Sequence, residues 1–197
     1  MVWLGNRAVF EVALTTRKNI RRDRMEIRAA RPVDALGVAQ VHVRSWQAAY
    51  KELLPADYLD SLRAEDRASR YDFSATDPMA PFTLVAVDSG LIRGFATVGA
   101  SPDSPARKTG ELMALYVDPD VWRAGIGRAL IDRARGELHR RGFADAVLWV
   151  LDGNVRAEAF YERDGWLRGD ARRRQRVWGI DVDEIAYTRR LDDCLRS

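Results

Sequence analysis

Cysteine is almost missing from this chain. The single Cys194 excludes an intrachain disulfide and a zinc site built from thiolates. Histidine is nearly as scarce: His42 and His139 stand far apart in sequence, so no metal is expected. There are only three lysines, Lys18, Lys51 and Lys108. Arginine therefore supplies nearly all the positive charge, which reads first as coding bias and only second as a sign of a ligand. No apolar run approaches the roughly 20 residues of a membrane span. Net charge is only +3 across 197 residues, which does not favour a bulk nucleic-acid binder. The expectation is a protein of the reducing cytoplasm with neither nucleic acid nor membrane as a partner.

What is present is the profile of one globular domain, 47% hydrophobic and 31% charged. Residues 1–24 hold six basic and two acidic residues, mostly at their C-terminal end. A signal peptide has the reverse order, charges first and apolar core second. These residues read as a loosely ordered extension or a mispredicted upstream start, and 25–197 as the domain.

Along that domain the hydrophobic period alternates between strand and helix. A strand is predicted at 26–30, a helix at 33–50, a second short helix at 53–62 and a charged, helical stretch at 63–71. Strands at 82–87 and 91–98 flank Asp88-Ser89-Gly90, a hairpin signal. A strand at 111–117, a helix at 125–141, a strand at 146–151 and a helix from Asn154 to Arg163 follow. Trp166–Leu167 and 184–191 read as the final strands. The order predicts an α/β (α+β) fold, a mixed and mostly antiparallel sheet with flanking helices.

The stretch VWRAGIGRALI, Val121 to Ile131, carries Gly125 and Gly127 directly before a helical pattern. A Walker P-loop is excluded, since no Gly-Lys-Ser/Thr follows. A dinucleotide fingerprint fits poorly: Leu130 stands where the third glycine belongs, and seven residues separate Val117 from Gly125. A helix start with no ligand is the bland reading. Against it, glycines let a bulky anion approach the backbone, and a helix N-terminus offers free N–H groups and partial positive charge. Arg123 and Arg128 flank the position, which suits a pyrophosphate.

Two stretches, LYVDPDVWRAGIGRALI and ADAVLWVLDGNVRAEAFYERDGW, resemble the GNAT N-acetyltransferase superfamily. The first matches its pyrophosphate loop, Arg/Gln-x-x-Gly-x-Gly/Ala. The second matches an Asn followed seven residues later by a Tyr, then Gly and an aromatic. One position departs: Trp122 stands where the family has Arg or Gln, and Arg123 comes one step later. The resemblance extends over 26–191 and implies the GNAT acyl-CoA N-acyltransferase fold, with acetyl-CoA as cosubstrate and an amine as acceptor. It implies direct transfer in a ternary complex. The other reading is a coenzyme-A-binding module that senses without catalysis. Dimers are common in the family, so a homodimer is a further expectation.

The resemblance also assigns roles. Arg123, Ala124, Gly125, Ile126, Gly127 and Arg128 would hold the pyrophosphate. Leu115, Tyr116 and Val117 would pair their backbone with the pantetheine arm, or simply be buried strand. Asn154 would contact the cofactor. Tyr161 would donate a proton to the departing sulfur, or pack beside Phe160. Glu111 takes the place of a general base, or is a solvent-exposed strand end; Glu158 and Glu162 are weaker candidates that helical spacing turns toward solvent. Trp46 and Tyr50 would line the acceptor wall, or belong to the core. The arginines at 172, 173, 174 and 176 read as a solvated face, or as an attractor for an acidic acceptor or the cofactor's 3′-phosphate.

Overall fold

The computed structural model describes residues 25–75, 77, 80–103 and 109–191. The expected extension at 1–24 and Cys194 lie outside them. The first strand, β1 (Met25–Ala29), is followed by α1 (Ala35–Ala49), α2 (Ala56–Ser61) and α3 (Ala64–Ala68). A hairpin of β2 (Phe82–Asp88) and β3 (Leu91–Ala100) leads into β4 (Thr109–Val117) and α4 (Ile126–Arg140). Then come β5 (Asp145–Leu151), α5 (Val155–Arg163) and a last hairpin, β6 (Leu167–Val177) and β7 (Ile180–Arg190).

One sheet takes the order β1-β2-β3-β4-β5-β7-β6. Among the described strands only β4 and β5 run parallel. The expected mixed, mostly antiparallel sheet is therefore the one observed. Alternate residues of a strand face opposite sides, and both sides are used. Leu84, Ala86, Ala96 and Val98 face α4, whose Ile126, Leu130, Ile131, Ala134 and Leu138 are at most 1% exposed. Each of these larger side chains contributes about 1.5–3 kcal/mol by leaving water. Val85 and Phe95 face the other way, against Val38 and Val41 of α1. Covering on both faces explains why β2 reads as a continuous apolar run instead of an alternation.

Three local readings change. Pro55 does not open α2; it precedes the helix as its cap. α3 is shorter than 63–71 and stops at Ala68. The largest difference is the last hairpin, where two short expected strands are in fact two of 11 residues. β6, LRGDARRRQRV, is an outer strand with mostly exposed side chains, so it has no apolar signature. Ion pairs across the ladder support it instead: Arg173 faces Glu184 at 2.7 Å and Arg176 faces Asp181 at 3.3 Å. Its turn is Trp178-Gly179, both with positive φ (54° and 89°), as a two-residue hairpin of this twist requires.

Candidate active site

β4 and β5 pair only where Thr109–Glu111 meet Asp145–Val147. Beyond Glu111 the strands separate. Residues 112–117 thus have β3 on one side and no ladder partner in β5 on the other. The pairing with β3 also skips Met113, a bulge at the point where the wedge opens. The wedge belongs to a cavity of about 1150 Å³, with Leu115, Tyr116 and Val117 on one wall and Val150 and Leu151 on the other. The residues given cofactor, acid or acceptor-wall roles in the sequence line it except Ala124; Glu111, Glu158, Glu162, Arg172, Arg174 and Arg176 do not.

The loop from β4 to α4 is anchored from below. Asp118 is 2% exposed; its carboxylate takes Arg44 at 3.0 Å and Arg93 at 3.1 Å and accepts the Asp120 amide at 3.2 Å. One 3₁₀ turn, Pro119–Val121, follows. Trp122 then donates its indole N–H to the Val117 carbonyl at 2.7 Å. Ser45 of α1 donates to the same carbonyl at 3.0 Å. The tryptophan that breaks the expected loop pattern is therefore a clamp between the loop and the strand. It also fixes Arg156, whose guanidinium lies 3.4 Å from the centre of the Trp122 ring.

The chain takes left-handed backbone at Arg123 (φ 65°) and Gly125 (φ 87°), and α4 begins at Ile126. No side chain caps this end of α4. Its first N–H groups are thus left for an outside acceptor. The two glycines differ in kind. Gly125 is required by its φ. Gly127 is not: a Cβ there would meet Phe160 at 3.5 Å and Val117 at 3.7 Å, both ordinary contacts. Gly127 therefore leaves room on the cavity side, which the packing does not demand. Arg123, Arg128, Arg156 and Arg163 all line the cavity, and none is in an ion pair among the described residues. Burial lowers the pKa of Arg156. Four uncompensated guanidinium groups and an open helix N-terminus form a seat for a polyanion.

Asn154 is 9% exposed and caps α5, accepting the Ala157 amide at 3.3 Å with its Oδ1. Its side-chain NH₂ is the group left for a ligand. Tyr161 is buried, in edge contact with Phe160 and Trp166, and it also lines the cavity. Packing and exposure to the cavity thus hold at once. Burial, then the nearby Tyr116 hydroxyl, pushes its pKa above the usual phenol value. Tyr116 and Tyr50 are pushed up by burial as well, and their hydroxyls stand 3.5 Å apart. Tyr50, Tyr116 and Tyr161 therefore stay protonated at neutral pH and able to donate.

Glu111 is not an exposed strand end. It is 6% exposed, lies between β3 and β5, and accepts the Ser101 hydroxyl at 3.2 Å. Burial raises its pKa, against the opposing pull of Arg173. It does not itself line the cavity, but Arg173 and Glu184, whose charges act on it, do. Glu158 is not turned to solvent either; it is half-buried, bound by Arg168 at 2.9 Å and by the Tyr187 hydroxyl at 3.1 Å. Glu162 is exposed.

The other end of the cavity is aromatic. Trp46 stacks on Trp178, centroids 4.3 Å apart at 21°, and meets Tyr50 edge-on at 5.0 Å. His42 sits among Trp46, Phe95, Tyr116 and Trp178, with Nδ1 at 2.5 Å from the Tyr71 hydroxyl. Trp46 is both core, at 4% exposed, and wall. Sequence reading passed over Arg67, Tyr71, Arg156 and Trp178. Trp178-Gly179 carried a turn signal; the others gave none, because only folding brings them to the cavity.

The acetyltransferase (GNAT) family matches residues 43–166. The chain belongs to the GNAT acetyltransferase family. An uncharacterized N-acetyltransferase of Bacillus subtilis is 33% identical over 129 residues, 65% of this chain and 72% of that one. A probable N-acetyltransferase of Mycobacterium tuberculosis is 28% identical over 165 residues, 83% and 92% of the two chains. Among solved structures, the PaiA N-acetyltransferase of Thermoplasma acidophilum, in complex with coenzyme A, superposes with a TM-score of 0.64 at 19% identity. It covers 84% of this chain and 98% of its own. This GNAT protein is thus an acyltransferase by family, and it shares the fold of that structure. Among the described residues no helix is long and apolar enough to cross a membrane, and no group of three or more His, Cys, Asp or Glu side chains is arranged to hold a metal.

Proposed function

We propose that this protein moves the acetyl group of acetyl-CoA to a primary amine, directly and within a ternary complex. The observation that carries this reading is the wedge between β4 and β5, with the uncapped start of α4 and four arginines that form no ion pair among the described residues lining the same cavity. Coenzyme A has the matching shape: a polyanionic head and a long amide-bearing arm. The pyrophosphate rests on the amides from Arg123 to Arg128. The arm lies along residues 115–117 and pairs with backbone that β5 leaves free; the Val117 carbonyl, already engaged twice, takes no part. Asn154 offers its NH₂ to the arm from the facing helix.

The amine nitrogen attacks the thioester carbonyl carbon, the C–S bond breaks, and an amide and a free thiol result. Tyr161, protonated at neutral pH, gives its proton to the leaving sulfur. The proton lost by the amine passes to Glu111 through a water, since the carboxyl does not itself line the cavity. Glu184 is nearer the cavity, but Arg173 already holds its carboxylate at 2.7 Å. Thiol release from acetyl-CoA with a panel of primary amines tests the reading. Transfer that depends on Tyr161 and Glu111 supports it. Cofactor binding without release on any amine, unchanged by Glu111→Gln, would favour a sensor module.

A further inference from the structure

Most half-buried arginines among the described residues have an acidic partner. Arg93 has Asp118 and Arg173 has Glu184. Arg67 is an exception in a telling place. It follows α2 in the chain, on α3, and its guanidinium lies against the Trp178 ring at 4.2 Å and the Tyr71 ring at 5.3 Å. Its Nε has no hydrogen-bond partner, and among the described residues it forms no ion pair. It lines the cavity among the aromatic residues Tyr71 and Trp178.

A guanidinium packed against aromatic rings keeps edge N–H groups for a planar anion, beyond the one that reaches the Tyr71 hydroxyl. The groups around it do not supply that anion. His42 is held neutral by burial and by Arg67 itself. Tyr71 is pushed up to about 12, chiefly by burial, and stays protonated. The carboxylate on this side, Glu184, is bound to Arg173, and its field and that of Arg67 meet with opposite sign at the Tyr116 hydroxyl. The cavity lining around Tyr116 thus includes both an anionic group, Glu184, and a cation with no ion pair among the described residues, Arg67. That polarity matches a zwitterion: ammonium toward Glu184, anion toward Arg67, apolar portion against Trp46 and Trp178.

We propose that the acceptor is a small amine that also carries a carboxylate, an amino-acid-like molecule, and that Arg67 is the residue that binds the carboxylate. This rests on the acetyl-transfer reading, deepens it, and makes Arg67 a specificity residue.

The test uses matched amines that differ only in a carboxylate: phenylalanine against phenethylamine, and 4-aminobutyrate against propylamine. Thiol release gives kcat/KM for each. The expected result is a preference of about tenfold or more for the carboxylate member of a pair, as a charge-assisted bidentate contact provides. Arg67→Gln brings that ratio toward one, and Arg67→Lys, which keeps the charge but not the fork, restores part of it. A loss of folding alone would lower both members equally and leave the ratio intact. Equal use of both members, or a ratio that Arg67→Gln leaves unchanged, overturns the proposal while acetyl transfer stands. Failure of every amine to release thiol overturns acetyl transfer instead. In that case quenching of the Trp46–Trp178 fluorescence by phenylalanine decides: quenching that Arg67→Gln abolishes supports the carboxylate site, and its absence overturns it.

Discussion

The pKa of Glu111 is displaced in the direction its proposed task requires, while burial leaves Tyr161 a protonated but weaker acid. Tyr161 is an acid that burial keeps protonated, in contact with the cavity. Tyr161→Phe keeps the ring packing against Phe160 and Trp166 and removes only the hydroxyl. Turnover is expected to fall at least tenfold, with acetyl-CoA affinity nearly unchanged; single-turnover kinetics with a parallel binding titration measures both. Glu111 must be ionised to accept a proton, and burial raises its pKa. Activity should therefore fall with decreasing pH at values above the ordinary carboxylate range, and Glu111→Gln should both slow the reaction and remove that acid limb from the pH–rate profile. His42 bears on stability rather than rate. Its pKa is lowered well below 6.5 in the folded protein by burial and then by Arg67. Below about pH 6.5 the unfolded chain takes up a proton that the native protein refuses, so stability falls as pH falls, by up to about 1.4 kcal/mol per pH unit. Urea midpoints across that window should show the slope, and His42→Gln should flatten it relative to the parent protein.

At the scale of elements, the loop between β4 and α4 makes two glycines behave differently. Gly125 has φ 87°, so Gly125→Ala should cost about 1–2 kcal/mol in a denaturation curve. Gly127→Ala has room, with Phe160 at 3.5 Å, and should leave the midpoint almost unchanged while raising KM for acetyl-CoA. This loop was the most legible part of the sequence, because a Gly-x-Gly before a helical stripe states a backbone requirement directly. Trp122 was legible only as a mismatch. Its use, a hydrogen bond to Val117 and a face for Arg156, depends on how the loop folds back, and no local spacing encodes that. β6 was hidden for another reason. An outer strand held by cross-strand ion pairs has no apolar period, so its arginines read as a solvated run. That reading is right for Arg172 and Arg176, paired with Asp152 and Asp181, but not for Arg173, which reaches the cavity.

At the scale of the whole molecule, one sheet with a core on each face brings two unlike surfaces to a single wedge. The α4 side supplies an anion seat, which local sequence announces. The α1 side supplies an aromatic end assembled from α1, β3, β4, the residues after α3 and the last turn, which only the tertiary fold brings together. The donor could thus be read from the chain, and the acceptor could not. Acetyl transfer joins the two halves, and one measurement tests it most directly: acetyl-CoA consumption followed by thiol release and by mass spectrometry of the amine, in the presence of a broad primary-amine panel. The expected result is one acetylated amine formed for each thiol released, lost in Tyr161→Phe. Saturable acetyl-CoA binding with neither thiol nor acetylated amine produced, on any member of the panel, would contradict it.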